Sequence, residues 1–594
     1  MAAPSVNPGR RLAGRVVAWV LGGLAVVAVL AGAWIAISGA LALGHMRTAE
    51  KAARSASVDL SDLPSTAAQL ARVSAETSAA RGLTSGPVWD AAEGLPWIGP
   101  QLSAATTTIA ALDDVAGRGL RPLADAAQGF SLDALRPQDG AVDLAALGGL
   151  HDAAESSAAS VARSAAAVDG IDRSLLLAPL REPIGTVADL LDSASTGLDA
   201  LRRATAIAGP LLGADGPRDY LVVFQNNAEW RSLGGIVGAM AVLHTDDGRL
   251  SLAAQGSSSD FTRYDEPVLP LSDEALQVFS RRPALYIQNA TQVPDYPFAA
   301  QLAREMWARE TGLQADGVIS LDPVALSYLL AATGPVALPT GDTLTSDDAV
   351  DLLLNGVYQR YEDPREQDAF FAATTAAVFA KLAGGDLDPA ALVRALSRAA
   401  DERRLLVWST HPEEESIVAG TTVAGELPVT DASRTAFGVY LNDGTGSKMD
   451  YYMNAGAAVA WCHDTEGSPD AELTVTLRND APADAASLPS YITGGGAFGV
   501  ARGKAKTVVY LLLPEGSALI RSDTDGVDAY PGFGSGTYGG RSVLTWTTEL
   551  APGEQSSAIL RVRTPETPEL VAEMTPTIPG RDAPAFAGPC AAQG

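Results

Sequence analysis

Apolar residues recur along this chain in different rhythms, and the changes of rhythm mark its divisions. From Val16 to Ser38 there is no charge over about 23 residues, enough for a helix to cross a hydrocarbon core roughly 30 Å thick. From Met46 to about Pro210 the apolar positions fall three and four apart, as in Leu60, Leu63, Ala67, Leu70 and Val73. This period predicts amphipathic helices, a bundle or stalk over 46–210, broken at Gly94–Gly99, Pro122, Pro137–Gly140 and Pro179–Pro183. From Gly216 the rhythm shortens. Tyr220–Phe224 is apolar on both faces, as in the middle of a covered sheet, and Gly238–His244 and Arg249–Ala254 are strands joined by a hairpin turn at Asp246-Asp247-Gly248. A short strand at Ala284–Gln288, a helix from Phe298 to Glu310, a strand at Gly317–Leu321, a helix at Pro323–Ala332 and a helical region from Ser346 to Leu382, interrupted at Tyr358–Arg365, complete an α/β domain over 216–384.

Residues 385–435 read as a helix (Pro389–Arg398), a strand (Leu405–Ser409) and a linker. From Ala436 the pattern alternates Val, Thr, Leu and Tyr between turn residues, which predicts an antiparallel β-sandwich over 436–594. The fold class is therefore multidomain α+β: a transmembrane helix at 16–38, a helical stalk, a central α/β domain and a C-terminal sandwich.

Charge and composition narrow the setting. The formal net charge is −28, with Asp+Glu 70 against Lys+Arg 42, which argues against nucleic acid because phosphate binding needs a concentrated basic surface. Arg10, Arg11 and Arg15 precede the apolar run. They place residues 1–15 in the cytoplasm and everything after Gly39 outside it. The run favours an uncleaved anchor over a signal peptide, whose apolar region spans roughly 7–15 residues. The two cysteines, Cys462 and Cys590, read in an exported chain as one disulfide, the alternative being two buried or free thiols.

Candidate chemistry gathers where the first central strand ends. Gln225, Asn226, Asn227, Glu229 and Arg231 crowd its C-terminal end before a glycine-rich turn, the place where open α/β sheets put ligands. Further along, Tyr358–Asp368 brings Arg360, Asp363, Arg365 and Asp368 into an otherwise apolar helical region. Guanidinium pairs grip phosphate oxygens and carboxylates hold divalent cations, but a helix cap with surface ion pairs uses the same residues. The five histidines, His45, His151, His244, His411 and His463, are scattered and support neither a histidine metal site nor a triad. Gly494-Gly496-Gly499 and Gly534-Gly536-Gly539 fit G-x-G-x-x-G, but neither opens a helix after a strand, so both read as β-turns. Asp523, Asp525 and Asp528 lack the remaining ligands of a Ca²⁺ loop.

The run F-Q-N-N-A-E-W-R-S-L-G-G-I-V-G-A from Phe224, together with L-N-D-G-T-G-S-K-M-D-Y-Y-M at Leu441–Met453, resembles the DUF4012 family, which implies a membrane-anchored bacterial envelope protein without an assigned activity. The order of elements over 216–384 also resembles the LytR-CpsA-Psr transferases, which move glycopolymers from polyprenyl-pyrophosphate carriers to the cell wall. That likeness implies a lipid-pyrophosphate-linked glycopolymer as partner. Arg231, Asp260 and Asp363 would be its catalytic residues, and Gln225, Asn227, Arg231, Asn289, Arg360 and Arg365 would bind the substrate. Asp260 and Asp363 would hold Mg²⁺. The sequence departs from that family's pattern at Leu233, which stands where those enzymes carry a metal-binding aspartate, and at Ser259, which stands in place of an arginine. A non-catalytic envelope assembly or adhesion protein is the alternative.

Overall fold

A computed structural model describes residues 8–55, 63–129, 132–138, 140–463, 468–527 and 529–579. It divides into two compact units, Met1–Ala134 with Ala145–Ala208, and Leu135–Leu144 with Gly209–Gly594.

The first unit is helical. Its first helix, Pro8–Ser55, contains the charge-free run, and helices Leu63–Leu83, Pro87–Glu93, Gly99–Asp114, Arg121–Gly129, Leu144–Asp169 and Ala178–Leu211 follow. The predicted break at Gly94–Gly99 falls between helices Pro87–Glu93 and Gly99–Asp114, whereas Pro122 and Pro179 lie in the first turns of Arg121–Gly129 and Ala178–Leu211, where a missing N–H is tolerated, and Pro183 lies in the second turn of the latter. Its core mixes alanines with larger aliphatics: Ala104, Ala111, Val168, Leu176, Ile184, Ala188 and Leu191 form one cluster. Leu60, the first residue of the predicted period, lies outside the described residues.

The second unit is built on a mixed five-stranded sheet. Strands β1 (Arg218–Asn226), β2 (Ile236–Asp246), β3 (Arg249–Ser257), β4 (Gly317–Leu321) and β7 (Leu406–Ser409) lie in the order β3-β2-β1-β4-β7, and β5 (Val336–Ala337) and β6 (Thr343–Leu344) form a separate two-stranded ribbon. β1 occupies the centre, antiparallel to β2 and parallel to β4. The β2–β3 turn has φ of 46° at Asp247 and 77° at Gly248, the left-handed pair a two-residue hairpin demands. One expectation changes. The strand predicted at Ala284–Gln288 is instead a pair of 3₁₀ turns, Arg282–Ala284 and Ile287–Gln292, held by backbone bonds such as Asn289 N to Tyr286 O and by Thr291 Oγ1 donating to Gly235 O. The strand read at Leu405–Ser409 is present as β7, the edge strand of this sheet, antiparallel to β4.

Helices cover both faces of this sheet. Leu221 and Val223 share a core with Leu302, Met306 and Trp307 of helix Tyr296–Thr311. Val222 and Phe224 face the other way, toward helix Pro364–Ala383 across a cavity.

The sandwich follows as predicted in kind. One sheet has β12 (Ala518–Gly526), β15 (Gln555–Arg563), β10 (Pro469–Asn479) and β9 (Met453–His463). The other has β13 (Gly534–Tyr538), β14 (Arg541–Leu550), β11 (Ala505–Leu512), β8 (Arg434–Asp443) and β16 (Glu569–Met574). It is not wholly antiparallel, because β16 runs parallel to β8. Phe437, Leu473, Val475, Leu511, Trp546 and Leu560 fill its core, and Trp230 from the α/β domain is buried among them. Cys462 is buried near the end of β9, while Cys590, its expected partner, lies outside the described residues, as does Asp528.

Candidate functional site

The end of β1 is shaped by its glycines. Gly234 has φ of 137°, and a Cβ on Gly235 would lie 2.3 Å from the Asn226 carbonyl carbon. Only glycines let the chain double back tightly enough for Gly235 N to donate to Gln225 Oε1 at 2.8 Å. Gln225 Nε2 in turn donates to Ser320 Oγ at 2.7 Å, so its amide is held on both sides. Asn226 Nδ2 donates to the Tyr358 hydroxyl, and Asn227 Nδ2 to Asp322 Oδ2 at 3.0 Å.

Between the strands and the helices lies a cavity of about 430 Å³, within the roughly 300–1,000 Å³ typical of ligand pockets. Its lining is graded along the strand direction. At one end stand Ala241, Leu243 and Leu252 from β2 and β3 with Val378, Phe379 and Leu382 from the last turns of helix Pro364–Ala383. At the other stand Gln225 and Asn226 at the end of β1, Ser257 at the end of β3 with Ser258 and Ser259 just after it, and Pro364, Gln367 and Asp368 from the first turns of that helix. The helix presents Gln367, Phe371, Thr374, Thr375 and Val378 at the three- and four-residue spacing of one face. Ser257 Oγ and Ser259 Oγ donate to the Asp368 carboxylate at 2.7 and 2.6 Å. Glu229, Tyr358, Lys448 and Tyr491 also line the cavity.

Those last residues lead into a buried charge cluster between the sheet and the sandwich. Lys448 Nζ lies 2.6 Å from Glu229 Oε2, and Arg231 Nη2 lies 3.1 Å from Glu229 Oε1. Arg231 also donates from Nη1 to Trp230 O at 2.7 Å and from Nε to Asn289 Oδ1 at 3.1 Å. Trp230 N donates to Asp450 Oδ2 at 2.8 Å, and Asp443 N to Trp230 O at 2.9 Å. Burial alone would raise the Glu229 carboxyl, but the Lys448 ammonium and the Arg231 guanidinium outweigh it and hold it below the usual range. Burial would likewise lower Lys448, yet Glu229 leads the influences that hold it above its ordinary value. Asp443 is pushed up to about 6, by burial first and then by the neighbouring Glu229 charge. Asp450 is raised well above the carboxylate range by burial and by Asp443. Lys448 Nζ also sits 5.6 Å from the Tyr358 ring centroid and 5.8 Å from that of Tyr491, two rings stacked 5.4 Å apart.

Of the residues singled out from the sequence, Gln225 lines the cavity. Arg231 and Asn289 are bonded to each other, and Asn227 is turned to Asp322 and to Pro576 O. Asp260 accepts from Ser257 N at 2.8 Å and Asp363 from Arg365 N at 3.0 Å, each closing a helical turn in the manner of a cap. Arg360 bonds Asp342 at 2.6 Å on the surface, and the Arg365 side chain is exposed. Among the described residues no three His, Cys, Asp or Glu side chains stand close enough to hold a metal by themselves, and Asp260 and Asp363, the expected Mg²⁺ ligands, each accept from backbone in separate turns. The residues that sequence reasoning left without a role are Lys448, Asp443 and Asp450. Their signal was a lysine between two aspartates in a short run flanked by apolar strands.

The second unit is thus a mixed α/β domain with a polar-to-apolar cavity, keyed to a two-sheet sandwich, in a chain whose N-terminal helix is long and apolar enough to cross a membrane. Residues 215–358 match the family described as Protein of unknown function (DUF4012). The match takes in the first of the two motifs and stops short of the second, at Leu441–Met453. No curated protein matches the chain.

Proposed function

We propose that this is a membrane-anchored, extracytoplasmic envelope protein whose central domain binds the apolar chain of a lipid-linked glycopolymer, with the sugar-phosphate end at the polar end of the cavity. The observation that carries the reading is the graded lining: Leu243, Leu252, Val378, Phe379 and Leu382 at one end against Gln225, Ser257, Ser259, Gln367 and Asp368 at the other. An amphipathic ligand with one apolar and one hydrogen-bonding end matches such a gradient. The apolar walls supply affinity by burial at roughly 25 cal/mol per Å² of apolar surface. Binding is proposed, and no transfer step is assigned, because the donors of Arg231 already bond Glu229, Trp230 and Asn289.

Native mass spectrometry of the purified full chain with a polyprenyl-pyrophosphate analogue tests this. A one-to-one complex is expected, and Thr375→Trp, which fills the cavity from helix Pro364–Ala383, should abolish it while leaving the circular-dichroism spectrum unchanged. Equal binding by wild type and Thr375→Trp would sink the cavity as the binding site. A second reading, a non-catalytic envelope scaffold, is favoured by the burial of Trp230 in the sandwich core, which packs the two domains over shared apolar contacts suited to holding partners apart. Absence of any lipid complex, with a stable fold, would select it.

A further inference from the structure

The exposed apolar residues of the helical unit are not scattered. Along the first helix the side chains described from Trp19 to Ile37 are largely exposed, and Ser38 is the first buried residue among them, followed by Ala42, Ala49 and Ala52. The helix therefore begins to pack on its neighbours from Ser38 onward, inside the apolar span Trp19–Ala52. His45 Nδ1 lies 2.7 Å from Glu76 Oε2, and Ala42 shares a cluster with Ala80 and Leu83, so the second helix, Leu63–Leu83, descends antiparallel to the first and ends level with Ser38. The turns after it lie at that same level: a Cβ on Gly39 would be 3.6 Å from Trp89 Cη2.

At this end of the bundle the chain displays apolar side chains outward. Trp97 is 90% exposed, and Val88, Leu95 and Ile98 are exposed beside it in sequence. The turn between helices Leu144–Asp169 and Ala178–Leu211 adds Leu175 and Leu177, 59% and 65% exposed. The two turns are tied together, since Gln101 Nε2 donates to Leu175 O at 2.8 Å and Leu177 N donates to Gln101 Oε1 at 3.0 Å. Trp97 is held with φ of 70°, a left-handed conformation that strains the backbone of a bulky residue. A strained backbone that keeps an indole in water has no account within the bundle itself, whereas tryptophan is enriched at membrane interfaces, where its ring is apolar and its N–H stays wet.

We propose that this end of the helical unit, with Trp97 at its tip and Leu95, Ile98, Leu175 and Leu177 around it, dips into the membrane leaflet from which the first helix emerges. The bundle is then held against the bilayer by two elements, a spanning helix and an interfacial wedge, which together fix its tilt. The inference rests on the anchor reading, because the membrane level is set by the first helix.

Tryptophan quenching in vesicles tests it. The full chain is reconstituted into phosphatidylcholine and phosphatidylglycerol vesicles with acyl chains brominated near the glycerol end, and the emission of Trp97→Ala is subtracted from that of the wild type. The difference signal, due to Trp97, should fall by more than half in brominated against ordinary lipid. A parallel subtraction with Trp34→Phe reports the spanning helix. Trp34 quenched and Trp97 unquenched overturns the wedge and leaves the anchor standing, and both unquenched overturns both. Since Trp97 is exposed, its alanine variant should keep the helical circular-dichroism signal of the wild type.

Discussion

Lys448→Met removes the cation nearest Glu229 and leaves its carboxylate with Arg231 alone, at 3.1 Å. The side chains of Lys448 and Glu229 are 9% and 12% exposed, so water cannot replace the lost partner. Breaking one side of a buried ion pair typically costs about 3–5 kcal/mol. Because Arg231 remains, the lower end of that range applies. Loss of the contacts with Tyr358 and Tyr491 adds about 0.5–1 kcal/mol, and the methionine keeps the apolar stem, so a destabilisation of about 3.5–4 kcal/mol is expected. The double variant Glu229→Gln with Lys448→Met leaves no orphaned carboxylate. Its new side-chain amide keeps an acceptor for Arg231, whose charge then faces Asp443, and the double variant should therefore recover about 2 kcal/mol of the single variant's loss. Urea unfolding followed through tryptophan emission reads both, with Trp230 and Trp546 buried in this region and the comparison made between midpoints at unchanged slope. A single-variant loss below about 1 kcal/mol, or strict additivity in the double variant, would refute the claim that this pair locks the sandwich to the sheet.

Asp443 supplies a pH signature. Its folded pKa of about 6 lies above the ordinary carboxylate value of about 3.9, so its contribution is fully present below about pH 4 and is lost as pH rises through about 6. Asp443→Asn should flatten that fall in a series of thermal melts, and a wild-type curve parallel to the variant's across this window would contradict the assignment. Gly235→Ala, with its Cβ 2.3 Å from Asn226 backbone, should destabilise the unit by about 1–3 kcal/mol as overpacking does, visible as a lowered melting temperature; an unchanged one would show that the turn can open. Tyr358→Phe takes away the hydroxyl that accepts from Asn226 Nδ2 and leaves a buried amide donor unpaired, at about 1–3 kcal/mol, again read by urea midpoint.

What could be read from the residues depended on how local the determining forces were. Gly317–Leu321 is a strand with the predicted limits, and Pro323–Thr333 a helix beginning at the predicted proline and running one residue longer, because Asp322 caps the helix at Ala325 N and the apolar run alone makes the strand. Ala284–Gln288 failed because alternation over so short a run does not separate a strand from successive turns, and what decides it is the distant bond from Thr291 to Gly235. β16 was missed for a similar reason: its parallel pairing to β8 is a contact across more than a hundred positions with no hairpin signal to announce it. The polar cluster after β1 was legible as a concentration of hydrogen-bonding groups. Its orientation was not. Whether Arg231 faces a ligand or Glu229 is set by Lys448 and Asn289, remote in sequence.

The two halves of the stretch Asp219–Gly238 have separable physical tasks that meet in the same few side chains. Val222 and Phe224 give β1 its face on the cavity, while Glu229, Trp230 and Ser232 key the domain to the sandwich through Lys448, Asp450 and Asn442. Glu229, Tyr358 and Lys448 belong to both sets, since all three line the cavity, Glu229 and Lys448 form the ion pair of the seam, and Tyr358 shares the sandwich core. Any anionic group that enters far enough to bond Lys448 must compete with Glu229 at 2.6 Å. Binding there is therefore linked to the ion pair that joins the domains, and linkage is reciprocal. A ligand confined to the apolar end leaves the seam as it is, whereas one that reaches Lys448 weakens it, so the response of seam stability to ligands of different headgroup charge reports how deeply each one sits.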